Sequence, residues 1–422
     1  MLDIKLIRSN LEDVRTRTAH KKVEVDFERL LELDETIRDI QAATDKLRQE
    51  RKQLSGEIGK KMKAGENADD LKNRAGAIGD EISANDTRTT GARAAYQELL
   101  SQVPNLIHDS VPVGDESANE EVHRRGEPRK FDFPVKDHLE VLEGLGYIDM
   151  IRGAKITGSG FPVLKGPGAA LGRSLGQYFL ETHTEKNGYT EMQVPLLVNR
   201  DSAFASGQLP DKEGQMYRTV DEEFYLIPTS ELSLVNYFRE EVVESLPVYV
   251  TAYTPCFRRE AGAYGKNVRG LNRLHQFDKV EMVKIVHPDT SYDELESMTR
   301  QAEELLEAME LPYRRLLLAS GDMGMTQSKT YDLELWSPAQ ERWLEISSCS
   351  NCTDYQARRA NIKWRDPEDK KLKFTHTLNG SGLALPRLII ALMENHQNED
   401  GTVNVPAVLQ KYLGREKLEA IS

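Results

Sequence analysis

Residues 257–281 read FRREAGAYGKNVRGLNRLHQFDKVE. One strand-like run ends in Phe257, Arg258, Arg259 and Glu260. A loop carrying Gly262, Gly265, Lys266, Arg269 and Gly270 follows, and a second run returns from Arg273 to Glu281. Two such runs around a glycine-bearing loop predict a β-hairpin, and the period of two then sorts the side chains. Arg273, Phe277 and Glu281 fall on one face of the returning strand, and Arg258 and Glu260 share a face on the outgoing one. That surface offers guanidinium groups for phosphate oxygens, a ring for a purine and carboxylates for an ammonium group. An exposed hairpin whose charges pair in solvent has the same pattern, so the stretch is read with its context.

Outward from the hairpin, further strand-like runs occur at 189–194, 248–254 and 342–348, the first stopped by Pro195. An amphipathic helix carrying Leu171, Leu175 and Phe179 ends at Asn187-Gly188, a second covers 291–309, and a closing helix covers about 383–394. The helices do not alternate strictly with the strands, which favours an antiparallel sheet of the α+β class.

Upstream the texture is different. Leu30, Leu33, Ile37, Ile40, Thr44, Leu47, Arg51, Leu54 and Ile58 recur in steps of three and four, the spacing of a helical seam. A second arm follows Leu71, Ala75, Ile78, Ile82, Asn85, Thr89, Ala92, Tyr96, Leu99 and Val103, and residues 62–70 break both patterns as a hairpin tip. Arms of about 35 residues project roughly 50 Å as an antiparallel coiled coil. Proline, glycine and a charged run after Pro104 place the boundary between domains 1–110 and 111–422.

Composition narrows the class. The chain has 422 residues and a net charge of -13, which argues against a protein coated in nucleic acid but leaves room for a local basic stripe. Residues 46–74 are such a stripe, with nine Lys and Arg against five Asp and Glu. No long uncharged apolar run is present and Asp3, Lys5 and Arg8 interrupt the first ten residues, so we expect a cytoplasmic protein with no membrane span. Three cysteines form no disulfide framework, and Cys349-x-x-Cys352 without a second ligand pair is half a zinc site, so no structural zinc is expected.

Three other segments carry chemistry. Residues 377–382 hold two glycines ahead of Pro386, Arg387 and an apolar helix, a turn whose amides could approach an anion or simply reverse the chain. Glu345, Ser347 and Ser348 could hold a hard cation or lie on a solvated strand. Residues 228–231, Pro-Thr-Ser-Glu, read locally as a helix cap.

In this order and spacing the segments resemble the signature motifs of class II aminoacyl-tRNA synthetases, in detail those of the seryl-tRNA synthetase family, over nearly the whole chain. Residues 188–195, 257–281 and 380–387 resemble its motifs 1, 2 and 3, and the amino-terminal hairpin resembles its tRNA-binding arm. The resemblance implies a class II antiparallel-sheet catalytic domain, a homodimer, and ATP, Mg²⁺, L-serine and the tRNA for serine as ligands. It implies that Arg258 holds the α-phosphate, Glu260 the adenine amino group, and Phe277 and Arg387 the two adenine faces, with Leu274 also at the ATP site. Arg258 and Arg387 are thereby the catalytic pair. Thr229, Glu231, Glu281 and Ser381 resemble the serine pocket, and Glu345 and Ser348 the Mg²⁺ ligands. Strict alternation pairs Glu345 with Ser347 instead, so Ser348 requires a β-bulge or the end of the strand. Arg259 and Pro386 depart from the family pattern, where a smaller residue and a glycine are usual. The basic residues Arg48, Arg51, Lys52, Lys60, Lys61 and Lys63 are the candidate tRNA contacts. A coiled-coil scaffold without activity, or a ligase loading a carrier protein, would not need intact motif arginines and a long arm together.

Overall fold

The computed structural model describes residues 1–211, 214–260 and 269–421, so Gly262, Gly265 and Lys266 of the hairpin loop lie outside the described residues. The chain divides into two units, Met1–Pro104 and Asn105–Ser422.

In the first unit, α1 (Phe27–Lys63) and α2 (Asp69–Gln102) pack along each other. The Asp26 carboxylate opens α1 by accepting the Arg29 amide hydrogen at 2.9 Å, satisfying one of the donors a helix start leaves free. The seam buries Leu30, Leu33, Ile40 and Thr44 against a partner stripe that includes Ile78, Ile82 and Leu100. Toward the tip it thins: Leu47, Leu54 and Ile58 are half-buried and Arg51 is exposed. Arg48–Asp86 at 3.2 Å and Arg74–Glu50 at 3.0 Å bridge the two helices there. Exposed pairs of this kind contribute about 0–1 kcal/mol each, so the apolar seam provides most of the cohesion.

The second unit is built on an eight-stranded sheet. Its strands are β1 (Glu120–Arg125), β2 (Thr190–Glu191), β3 (Val248–Phe257), β4 (Gln276–Val286), β5 (Tyr313–Leu317), β6 (Lys329–Ser337), β7 (Arg342–Asn351) and β8 (His376–Ala384). They lie in the order β1-β5-β6-β7-β8-β4-β3-β2. Every neighbouring pair is antiparallel except β2 and β3. The edge strand β2 is shorter than the 189–194 expected, because pairing ends once the Met192 amide donates to the Thr251 carbonyl and Pro195 can donate nothing.

Period 2 divides β4 between two cores. Val283 and Ile285 enter the smaller one, with Leu234 and Val235 of the short helix α3 (Glu231–Asn236) and with Ala357. Val280, Met282 and Val286 enter the larger one, shared with Leu295, Met298, Leu305 and Leu306 of α4 (Ser291–Ala308) and with Leu388, Ile389 and Leu392 of α5 (Leu385–Asn395). Phe277, Lys279 and Glu281 have the parity of Val283 and Ile285 and lie nearer the start of the strand.

Residues 377–382 are not the turn the sequence predicts. They continue β8 up to Ala384, and α5 begins at Leu385. The glycines there serve close packing: a β-carbon on Gly380 would stand 2.8 Å from Cys349 Sγ and 2.9 Å from Met298 Sδ, and one on Gly382 would stand 2.6 Å from His183 Nε2.

Candidate functional site

The site is assembled around Phe277, Lys279 and Glu281 of β4 by three neighbouring segments. Register sets Ser381 of β8 directly opposite Glu281, and Thr254 of β3 opposite Lys279. Arg258 lies just past the end of β3, with its amide donating to the His275 carbonyl at 2.9 Å and Nε donating to the Pro228 carbonyl at 3.3 Å. Its guanidinium carbon stands 5.2 Å from the centre of the Phe277 ring. His275 props this corner: Nδ1 meets the Tyr217 hydroxyl at 2.7 Å and the ring stacks on Phe161 at 5.1 Å.

The simple alternation expected for the hairpin ends with the strands. Glu260 has a left-handed φ of 48°, and Arg273 precedes β4. The two are nonetheless joined as an ion pair at 2.8 Å. Arg258, Glu260, Leu274, Phe277, Ser381 and Arg387 all line one cavity of about 160 Å³, next to a larger one of about 660 Å³. Glu345, Arg273 and Arg387 face both cavities.

On β7 the register slips by one residue. Leu333 pairs with Ser347 but Glu334 pairs with Glu345, leaving Ile346 as the extra residue of a bulge. Ile346 and Ser347 are both buried, so alternation restarts and Glu345 and Ser348 line the same large cavity. Ser347 turns instead to donate to the Ser381 carbonyl at 2.6 Å. Arg387, near the start of α5, donates to the Glu345 carbonyl at 2.7 Å and to the Asn272 carbonyl at 3.2 Å. Pro386 stands in the first turn of α5, where its missing N–H costs nothing. The Asp332 carboxyl, hydrogen-bonded to Ser348, is pushed well above its ordinary range by burial and then by the charge of Glu345. Glu345 and Ser348 are hard oxygen donors of the kind that would suit a Mg²⁺ ion. Among the described residues no three His, Cys, Asp or Glu side chains converge into a closed metal cage.

At the inner end of the site two carboxylates are buried, Glu231 at 8% exposure and Glu281 at 1%. Glu231 is the first residue of α3. Its Oε1 accepts from Gln356 Nε2 at 2.6 Å and Asn379 Nδ2 at 3.0 Å. Burial, then the charge of Glu281, pushes its carboxyl up to about 7, against the lowering effect of Gln356. Lys279 is ion-paired with Glu281 and donates to Thr229 Oγ1 at 2.8 Å.

Sequence reasoning missed Lys279, Gln356, Asn379 and Asp332. Lys279 had a signal, since it shares the parity of Phe277 and Glu281. Asn379 had a similar one, lying in the 377–382 segment with the parity of Ser381, whereas Gln356 and Asp332 come from a remote helix and strand and had none. Cys349 and Cys352 are both buried, and burial pushes the Cys349 thiol up to about 12.

Comparison with known proteins adds independent findings. Residues 1–107 match the family model described as the seryl-tRNA synthetase N-terminal domain, and residues 215–396 match that of the tRNA synthetase class II core domain (G, H, P, S and T). The serine–tRNA ligase of Dechloromonas aromatica is 46% identical over 420 residues, covering 98% of each chain. That of Thermodesulfovibrio yellowstonii is 47% identical over 420 residues, covering 98% of this chain and 99% of its own. Among solved structures, the seryl-tRNA synthetase from Pyrococcus horikoshii complexed with ATP superposes with a TM-score of 0.91 at 36% identity, covering all of both chains. The cytoplasmic enzyme from Naegleria fowleri in complex with AMP gives 0.87 at 27%, covering 100% and 99%.

Proposed function

The chain belongs to the seryl-tRNA synthetase family, and on that premise we propose how its own residues activate L-serine with ATP and pass the seryl group to the 3′ end of the tRNA for serine. The observation that supports the residue assignment is that an arginine-lined cavity is bordered by Lys279 and Ser381, the first ion-paired with buried Glu281 and the second opposite it in the sheet. Glu231, Glu281, Thr229 and Ser381 receive serine. Phe277 and Arg387 flank the adenine, Glu260 and Leu274 border it, and Arg258 faces the α-phosphate.

The serine carboxylate then attacks the α-phosphorus in line and pyrophosphate leaves. No side-chain nucleophile is needed, so the protein's work is to hold two anions together and to neutralise the charge that builds on the phosphate oxygens. Arg258 is held for that by the Pro228 carbonyl and the Phe277 ring, and Arg387 by two carbonyls. Glu345 and Ser348 would hold Mg²⁺, which would supply further neutralisation when bound. A hydroxyl-binding pocket disfavours alanine, which leaves its polar groups unpaired, and crowding disfavours threonine.

The same reading makes the protein a cytoplasmic homodimer joined near β2, whose Thr190 and Glu191 are exposed at the sheet edge. No helix among the described residues is long and apolar enough to cross a membrane. Two measurements on one preparation test the proposal. ATP–pyrophosphate exchange should require serine, and equal exchange with alanine, threonine or cysteine would sink the assignment. Sedimentation at micromolar protein should give about twice 47.8 kDa, and the monomer mass would remove the dimer.

A further inference from the structure

Lys279 is the buried cation of the amino-acid pocket, and none of the roles assigned above uses it. It is 4% exposed, on the same side of β4 as Phe277 and Glu281. Lysines on a strand normally run their stems along apolar surface and leave the ammonium in water. Here the ammonium is turned inward, onto the Glu281 carboxylate and onto Thr229 Oγ1 at 2.8 Å. Burying such a pair is costly, and apolar replacements of buried pairs are often no less stable, so stability alone does not account for it.

We propose that Lys279 is a positioning residue that divides the work of the two buried carboxylates: it fixes Glu281 as the acceptor for the substrate hydroxyl and leaves Glu231 as partner of the substrate ammonium. The inference rests on the serine-activation reading and deepens it. An ionised carboxylate only accepts hydrogen bonds, whereas a protonated one also donates. Serine differs from alanine by one hydroxyl, and Glu281 held in place by its ion pair with Lys279 rewards that donor. Ser381, opposite Glu281 across the β4–β8 ladder, borders the same point. With Glu281 matched by Lys279, one further ammonium balances Glu231, whose Oε1 is already oriented by Gln356 and Asn379. Without Lys279, two buried carboxylates would compete for one substrate ammonium, and the hydroxyl would lose its acceptor.

Pyrophosphate exchange by Lys279→Met, with serine, alanine and ATP titrated separately, tests this. The serine KM should rise by about 30-fold or more, the ATP KM should stay within about twofold, and the serine-over-alanine preference in kcat/KM should fall at least about tenfold. Lys279→Gln, which keeps a donor for Thr229 without the charge, should show the same split. An unchanged serine KM and preference, or ATP and serine constants rising together, would overturn the inference. So would the unfolding of both variants, which would make Lys279 a residue of the fold. Wild-type protein inactive with serine would remove the functional reading and this inference with it, whereas an active wild type beside unaltered variants removes the inference alone.

Discussion

Glu231 shows at residue scale how binding and stability oppose each other in this pocket. Its carboxyl is pushed up to about 7 by burial first and by Glu281 second. A folded-state value above the unfolded one near 4.5 means that the native empty site holds a proton more tightly than the unfolded chain. The resulting stabilisation is complete below about 4.5 and is lost as pH rises through about 7. Under the proposed pairing serine requires the opposite state, its ammonium facing ionised Glu231. The serine KM should therefore fall as pH is raised from about 6 to about 8, and a pH-independent KM would contradict the pairing. Glu231→Gln keeps an oxygen for Gln356 and Asn379 while removing the charge. At about pH 8 it should raise the Tm of the ligand-free protein by a few degrees and weaken serine binding by about 100-fold, as seen in thermal unfolding and serine titration.

At the scale of elements, what could be read from the chain depended on whether the signal was periodic. Period 2 put Phe277 and Glu281 on one face of β4, and the three-four spacing identified the seam from Leu30 to Ile58. The bulge at Ile346 was deducible only as a requirement, because a one-residue slip leaves no mark in composition. Gly380 and Gly382 resembled a turn since two glycines before a helix usually make one. The side chains that forbid a β-carbon there, Cys349, Met298 and His183, come from a neighbouring strand and two helices. Gln356 and Asn379 are likewise brought to Glu231 only by the tertiary fold. Packing makes the strand assignment testable. Gly380→Ala should cost about 1–3 kcal/mol in denaturant unfolding, since the added methyl meets two sulfur atoms at 2.8 and 2.9 Å. Cys349→Ala, by removing the nearer sulfur, should recover part of that loss when the two changes are combined. A neutral Gly380→Ala would show that the glycine is not required by packing.

Over the whole molecule, charge is distributed against the average. The chain carries -13, yet residues 46–74 carry nine basic against five acidic side chains, all within the unit Met1–Pro104. Not all of these cations are equally available. Arg48 is engaged with Asp86 across the arm and Arg51 occupies a seam position, whereas Lys52, Lys60, Lys61 and Lys63 are exposed and lie off the seam. Those four lysines are the better candidates for the phosphate backbone of the tRNA. They do not belong to the seam, so replacing them with Gln removes charge and leaves the apolar packing of α1 on α2 in place. Serine-dependent pyrophosphate exchange, which needs no tRNA, should be unchanged in the quadruple variant. Aminoacylation should require a tRNA concentration higher by about 10-fold or more, and the slope of log affinity against log salt should become shallower by about one for each phosphate no longer neutralised. If the variant charges tRNA with unaltered efficiency and salt dependence, the tip does not grip the backbone, and the arm must meet tRNA along another face.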